Sequence, residues 1–205
     1  MHAQTRQSQS ELTPTAALEL LKAGNERFVN NLRANRNLLS QVNETSDGQF
    51  PFAVVLSCID SRVSAELVFD QGLGDIFSVR IAGNFVNDDI LGSMEFGCKV
   101  SGSKLIMVLG HTRCGAIKGA CDDVQLGYVT GLLGKIRPSV LATPCEGERN
   151  SKNEPFVDAV ARTNVQATMK HITERSPILE KMLANGEIEI AGGVYDVQTG
   201  AVEFI

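Results

Sequence analysis

The sequence predicts an α/β fold with a central, mostly parallel β-sheet flanked by helices and preceded by an N-terminal helical arm. Short β-rich runs alternate with helical stretches, and the four runs are "FAVVLSC", "IFSVRIA", "KLIMVLG" and "EIEIAGGVYD". The first and third runs are continuously apolar, which is typical of parallel strands that are covered on both faces. At 205 residues, the chain suits one well-buried domain better than two.

The N-terminal stretch predicts the arm. Residues 1–10 are polar and are expected to fray. The run "TPTAALELLKAGNERFVNNL" then opens with Thr13 as a candidate N-cap and Pro14 at the first helical position. Because this helix lies far ahead of the first strand, we expect its apolar face to cover another surface. We therefore divide the chain into an arm over residues 1–35, helical from about residue 14, and an α/β domain over residues 36–205.

Composition and charge exclude several classes of protein. The hydrophobic fraction of 43% and charged fraction of 21% are ordinary for a globular protein, and no apolar run approaches the ~20 residues of a membrane span. The net charge of -5, with scattered basic residues, argues against a nucleic-acid partner. Five cysteines are too few for a disulfide scaffold, which favours metal use or a reducing compartment. We expect a cytoplasmic protein, or a periplasmic one if a signal peptide has been removed.

Two segments place metal-ligating side chains after apolar strands. Cys58 ends the run "FAVVLSC", and "KLIMVLGHTRCGAIKGAC" places His111 and Cys114 across the turn into the next helix. Because ligands of open α/β sheets bind at the carboxyl ends of the strands, we expect these three side chains to converge. Two thiolates and one imidazole favour zinc. Three protein ligands leave a fourth position open, as in catalytic zinc sites.

Simpler interpretations stay open for each residue taken singly. A cysteine at a strand end is often a small buried apolar residue, and His111 taken alone is equally weak evidence for a metal ligand. Asp60 and Arg62, which follow Cys58, could form a surface ion pair worth under ~1 kcal/mol. The remaining cysteines lack neighbouring ligand types and are predicted to be structural or incidental: Cys98, Cys121 and Cys145.

The segment "CIDSRV" together with "GHTRCGA" resembles the β-class carbonic anhydrases, zinc enzymes that hydrate carbon dioxide to bicarbonate and a proton. The resemblance extends through "GDIFSVRIAGNFV" and "GSMEFG" to the closing "GGVYDVQTGAVEFI". It implies one Zn²⁺ per chain, held by Cys58, His111 and Cys114. It also implies that Asp60 and Arg62 are the catalytic dyad, in which Asp60 orients a zinc-bound hydroxide and Arg62 keeps Asp60 ionised.

The resemblance also implies a substrate pocket for carbon dioxide and bicarbonate. Gln49, in "DGQFPF", matches the substrate-binding glutamine of the family. Phe77, Ala82 and Phe96 fall where the family lines its apolar pocket, some of it contributed across a dimer interface. We therefore expect a homodimer or a homotetramer.

The resemblance leaves alternatives open. A hydrolase of carbonyl sulfide or carbon disulfide would use the same metal and scaffold, and a catalytically silent zinc or redox-sensing protein would use Cys58 and Cys114 as oxidant-responsive thiols. Some family members also bind bicarbonate as an inhibitor through a tryptophan, an arginine and a tyrosine. Here Arg80 matches the arginine, but Val55 stands at the tryptophan position. We therefore predict an open site, in which Asp60 pairs with Arg62 and does not bind zinc, and no cooperative inhibition by bicarbonate.

Overall fold

The chain forms a five-stranded sheet in the order β2-β1-β3-β4-β5, according to a computed structural model that describes residues 2–205. Strands β1 to β4 are parallel, and β5 runs antiparallel to β4. This arrangement confirms the predicted α/β fold with a mostly parallel sheet. The strands are β1 (Ala53–Ser57), β2 (Ile76–Arg80), β3 (Leu105–His111), β4 (Glu189–Tyr195) and β5 (Val202–Phe204).

Helices precede and connect the strands. A single π-helical turn, Phe96–Val100, continues one of them. The α-helices are α1 (Arg6–Glu11), α2 (Pro14–Val29), α3 (Leu38–Glu44), α4 (Ala65–Val68), α5 (Asp88–Glu95), α6 (Gly115–Cys121), α7 (Gly127–Ala142), α8 (Glu154–Arg175) and α9 (Pro177–Ala184). Within residues 2–205, no helix combines the length and the hydrophobicity that crossing a membrane requires.

Both faces of the sheet are buried, which explains the continuous hydrophobicity of β1 and β3. Val55 and Met107 point into a cluster that α2 and α4 cover. Leu56 and Val108 point to the opposite face, which α5, α8 and α9 cover. Because neighbouring residues of a strand point to opposite faces, a strand buried on both sides needs an apolar residue at every position.

The strand register brings two strand ends to one edge of the sheet. Ser57, the last residue of β1, pairs with Leu109 of β3 and with Arg80 at the end of β2. The residue that follows β1 and the last residue of β3 therefore emerge side by side, as the sequence predicts for a parallel sheet. Those two residues are Cys58 and His111.

Helix α2 packs on its own sheet. Thr13 caps it by accepting a hydrogen bond from Ala16 N at 3.2 Å, and Pro14 is its first residue, as predicted. Ala17 and Leu21 are fully buried in the cluster beneath α2. The apolar face that we expected to cover another surface is thus part of the core of the same chain.

Hydrogen bonds join the predicted arm to the domain at two points. Arg27 and Arg36 both bind the buried carboxylate of Asp70, each at 2.6 Å, so residues on either side of position 35 share one anchor. The expectation that residues 1–10 fray is not met where the structure describes them, because Gln9 Nε2 donates to the carbonyl oxygens of Pro51 and Ser101, each at 2.8 Å. The division at residue 35 stays a prediction.

Strand β5 was not among the predicted strands. It has three residues, and the turn before it contains Gly200 at φ +80, a conformation that favours glycine. Asn25 of α2 accepts a hydrogen bond from Val202 N at 2.8 Å and donates to Gly200 O at 2.9 Å. A three-residue strand that is stabilised by a distant helix is too short to show a recognisable β pattern in its own sequence.

Candidate metal centre

The structure brings the three predicted metal ligands together. Cys58 follows β1, His111 ends β3, and Cys114 is the N-cap of α6. All three side chains are buried, and their ligating atoms lie within 4.8 Å of one another. The two sulfur atoms are 3.9 Å apart.

The donor geometry fits a zinc ion. Two sulfurs that each bind a tetrahedral zinc at ~2.3 Å lie ~3.8 Å apart, close to the observed 3.9 Å, whereas a disulfide would need ~2.05 Å. His111 Nδ1 donates to the carbonyl oxygen of Thr112 at 2.9 Å, which leaves a lone pair on Nε2. Nε2 is buried and has no hydrogen-bond partner among residues 2–205. A cation at the centre of the cluster would use this otherwise unpaired atom.

The Cys58 and Cys114 thiols shift each other's pKa in opposite directions. The Cys114 thiol, then the neighbouring His111 ring and the Gly83 amide, lower the pKa of Cys58 to about 4 against the opposing effect of burial. The neighbouring Cys58 sulfur raises the pKa of Cys114, because a second negative charge beside the first is unfavourable. A bound cation would replace the proton that the pair retains, since metal-ligating cysteines are thiolates.

The Asp60 carboxylate faces the cluster from the loop after β1. Arg62 binds both carboxylate oxygens: its Nε donates to Oδ1 at 2.9 Å, and its Nη2 donates to Oδ2 at 2.8 Å. These hydrogen bonds hold the pKa of Asp60 well below its usual range, so the group is an ionised acceptor. Its Oδ2 lies 3.9 Å from His111 Nε2. The Asp60–Arg62 pair therefore lies beside the ligands, and Oδ2, which accepts from Arg62, has a second lone pair that remains available on the side of the cluster.

Arg80 braces the loop that carries both Cys58 and Asp60. Its Nε donates to the carbonyl oxygen of Cys58 at 2.9 Å, and its Nη2 donates to that of Asp60 at 2.7 Å. From the sequence, Arg80 was noted only as a match to the arginine with which some family members bind bicarbonate. A charged residue that ends β2, beside the end of β1, is the signal that could have indicated this bracing role.

The turn between His111 and Cys114 is also held from a distant helix. Arg113 has φ +55, in the left-handed region that non-glycine residues rarely adopt, and its backbone N–H donates to Asp158 Oδ1 on α8 at 3.0 Å. Thr112 Oγ1 accepts a hydrogen bond from Val197 N at 3.1 Å. Neither Asp158 nor Val197 was in the predicted site: Asp158 lies outside the quoted motifs, and Val197 lies in the closing segment "GGVYDVQTGAVEFI" as an apolar residue that contributes only its backbone N–H.

The predicted pocket residues separate into those that line the metal cleft and those that do not. Ala82 lines it together with Cys58 and Asp60, and the cleft has a volume of about 580 Å³. Its opposite wall is apolar and comes from α6 and α7, including Ala116 and Leu133. A small uncharged molecule would meet few competing polar groups on the way to the ligands.

Gln49, Phe77 and Phe96 do not line the metal cleft of their own chain. Phe77 and Phe96 pack edge to face with ring centroids 6.3 Å apart, and both line a separate cleft of about 690 Å³. The Phe96 side chain is 53% exposed. Gln49 is exposed and lines a third depression, beside Leu73. Within one chain, these three positions are not brought to the ligand cluster.

The remaining cysteines lie outside the ligand cluster, in agreement with the sequence. Cys98 is buried in the core, and burial raises its pKa to about 12. Burial also raises the pKa of Cys121 to about 11. Cys145 is partly buried, and all three are free thiols.

The fold and the site define an α/β protein with a buried Cys₂His centre at the carboxyl edge of a parallel sheet and an ionised carboxylate beside it. Zinc sites with three protein ligands are generally catalytic, whereas structural zinc sites usually have four. The chain belongs to the β-carbonic anhydrase family, since the family model described as "Carbonic anhydrase" matches residues 53–202. It is accordingly an enzyme, a carbonate dehydratase.

Known relatives agree with this assignment. The chain is 38% identical over 193 residues to "Carbonic anhydrase 2" of Mycobacterium tuberculosis, covering 91% of this chain and 90% of the relative. A solved Coccomyxa β-carbonic anhydrase in complex with acetazolamide is similar at a TM-score of 0.66 and 26% identity, covering 80% of this chain and 75% of the other. Tetrameric β-carbonic anhydrases of Sordaria macrospora share the fold, at a TM-score of 0.70, 22% identity and coverage of 80% and 84%.

Proposed function

We propose that this chain catalyses the reversible hydration of carbon dioxide to bicarbonate and a proton at one zinc ion per chain, held by Cys58, His111 and Cys114. The observation that carries the proposal is the buried cluster itself, with its sulfurs 3.9 Å apart and His111 Nε2 without another partner. When bound, zinc lowers the pKa of a coordinated water and so supplies a nucleophile near neutral pH.

The dyad would orient that nucleophile. In its ionised form, Asp60 accepts hydrogen bonds but cannot donate them, and its Oδ2 is directed towards the ligand cluster. Arg62 keeps the carboxylate ionised and stops it from rotating, because it binds both oxygens at once. A water held by Asp60 would keep a lone pair for the carbon atom of the substrate. Arg80 contributes by fixing the backbone from which Asp60 projects.

The cleft is suited to an uncharged substrate. Ala82 and the walls supplied by α6 and α7 are apolar, so carbon dioxide can approach without displacing tightly bound water. The product is an anion, and the same apolar wall offers it no compensating charge. This difference favours release of bicarbonate towards the solvent-exposed Arg62 side of the site.

We also propose that two copies of the chain form a homodimer, and that Gln49, Phe77 and Phe96 of one copy complete the cleft of the other. Exposed aromatic surface at Phe96 and exposed apolar residues on α3, among them Leu39 at 78%, support this arrangement. Phe96→Glu should convert the dimer to a monomer in light scattering and lower activity with it. Leu141→Glu, an exposed apolar residue on α7, is the matched control and should leave both unchanged. A dimeric Phe96→Glu variant would contradict this interface.

Stopped-flow hydration of carbon dioxide by protein of measured zinc content tests the activity. We expect turnover proportional to bound zinc. Absence of carbon dioxide hydration at full zinc occupancy would contradict the proposal and favour the catalytically silent zinc or redox protein. A higher kcat/KM for carbonyl sulfide or carbon disulfide, measured in parallel, would instead favour the hydrolase alternative on the same metal.

A further inference from the structure

Asn164 is a buried amide on an otherwise apolar part of α8. Its neighbours on the buried face include Val160, Ala161 and Val165, and Asn164 itself is only 2% exposed. Burying an amide is costly unless its donors and acceptors are paired, so its hydrogen bonds indicate why the position is polar.

The amide has a defined orientation. Asn164 Nδ2 donates to the carbonyl oxygen of Gly83 at 2.8 Å, and its Oδ1 accepts a hydrogen bond from Ser139 Oγ on α7 at 3.3 Å. Because the Ser139 hydroxyl is directed at the oxygen of the amide, the NH₂ group is directed at Gly83. The contact joins α8 to a loop 81 residues earlier in the chain.

Gly83 in turn contacts a predicted metal ligand. Its backbone N–H donates to Cys58 Sγ at 3.4 Å. Gly83 has φ +78, and a Cβ at this position would lie 2.3 Å from Ile136 Cδ1, so only glycine fits the loop without displacement. Gly83 is therefore held at both ends, by the thiol through its N–H and by Asn164 through its carbonyl group.

We propose that Asn164 is a positioning residue that keeps the Gly83 N–H on the Cys58 sulfur and so sets how strongly this thiolate donates to the metal. An N–H···S hydrogen bond withdraws electron density from the sulfur. This matters in a site where two thiolates offset the charge of a divalent cation and weaken it as an electrophile. The inference rests on the metal assignment made above.

The test replaces Asn164 with leucine, which has the same number and branching of side-chain heavy atoms and no polar atoms. We expect zinc affinity, measured by competition with a chromogenic chelator, to fall about 10-fold or more, because the Cys58 sulfur loses the hydrogen bond that fixes its position, as for other residues that orient metal ligands. In the cobalt-substituted protein, the thiolate-to-metal charge-transfer band should move to longer wavelength, because the sulfur becomes more electron-rich. Thr168→Val, one turn further along the same buried face, is the control and should change neither quantity.

Asn164→Leu with the zinc affinity and cobalt spectrum of the wild type would overturn the inference. If circular dichroism shows that this variant does not fold, Ser139→Ala decides, since it keeps Asn164 and removes only the group that orients it. A smaller band shift in the same direction supports the inference, and an unchanged spectrum refutes it. A wild-type protein that binds neither zinc nor cobalt would contradict the proposed function itself.

Discussion

Asp60 and His111 face each other across the ligand cluster, with Oδ2 and Nε2 separated by 3.9 Å. The separation is too long for a hydrogen bond, so neither group satisfies the other. This separation leaves Nε2 of His111 available to bind a metal and Oδ2 of Asp60 available to accept a further hydrogen bond. The first predictions concern these two roles.

Asp60→Asn should retain zinc and lose about 100-fold or more of kcat/KM, because the amide keeps the shape of the side chain but not its charge. Zinc content and stopped-flow kinetics on the same sample check both parts. Asp122→Asn is the matched control, since the exposed Asp122 carboxylate accepts from Ser151 N at 2.8 Å away from the cluster and its loss should not affect turnover. Turnover close to wild type in Asp60→Asn would mean that the dyad is only structural.

Cys58→Ser and Cys114→Ser should each lose most of the bound zinc, because a hydroxyl replaces a thiolate poorly at a soft site. Elemental analysis after dialysis measures the zinc per chain. Cys98→Ser tests the same chemical change at a buried thiol outside the cluster and should keep one zinc. Full zinc occupancy in either ligand variant would refute the assignment of that ligand.

Bicarbonate should inhibit without cooperativity. Val55 is fully buried in the core, and the Arg80 guanidinium already binds the carbonyl oxygens of Cys58 and Asp60. A ligand shifts a conformational equilibrium only through its different affinities for the two states, and these residues offer bicarbonate little at this position. Initial rates over a range of bicarbonate concentrations should follow a hyperbolic curve, and a sigmoidal curve would contradict the prediction.

Leu21→Ala should lower the free energy of unfolding by about 2–5 kcal/mol, because the truncation leaves a cavity between α2 and the sheet. Leu20→Ala, at the adjacent and 37% exposed position, should cost much less. Chemical denaturation of the two variants provides the comparison. Equal and small effects would mean that α2 contributes little to the core and would favour the sequence-based expectation that its apolar face covers another surface.

Acid should loosen the N-terminal segment. Hydrogen bonds from the Ala3 amide, and then from His2 and Ser40, lower the pKa of Glu44 to about 2. Because this pKa is depressed in the folded protein, its contribution to stability is complete above the ordinary value of 4.5 and is lost as the pH falls towards 2.

Amide hydrogen exchange of the first residues, corrected for intrinsic rates, should show faster opening at pH 3 than at pH 6. In Glu44→Gln, which cannot ionise, the difference attributable to this group should disappear. An unchanged pH dependence in Glu44→Gln would show that other carboxylates control the segment.

Much of this protein was predictable from local sequence. Four strands were predicted from continuous or β-rich apolar runs, and the start of α2 from Thr13 and Pro14, because burial and helix capping act over a few neighbouring residues. The ligand set Cys58, His111 and Cys114 was predicted because parallel strands end at a common edge.

Tertiary structure decided the remainder. The sequence could not show that α2 covers its own sheet, because an apolar helical face does not specify which surface it meets. It could not show that Arg80 braces the Asp60 loop, or that Asn164 reaches Gly83 from 81 residues away, because these contacts depend on where distant elements pack. Motifs therefore predicted which groups are candidates for the chemistry, while the positions of those groups depend on long-range packing that no local pattern encodes.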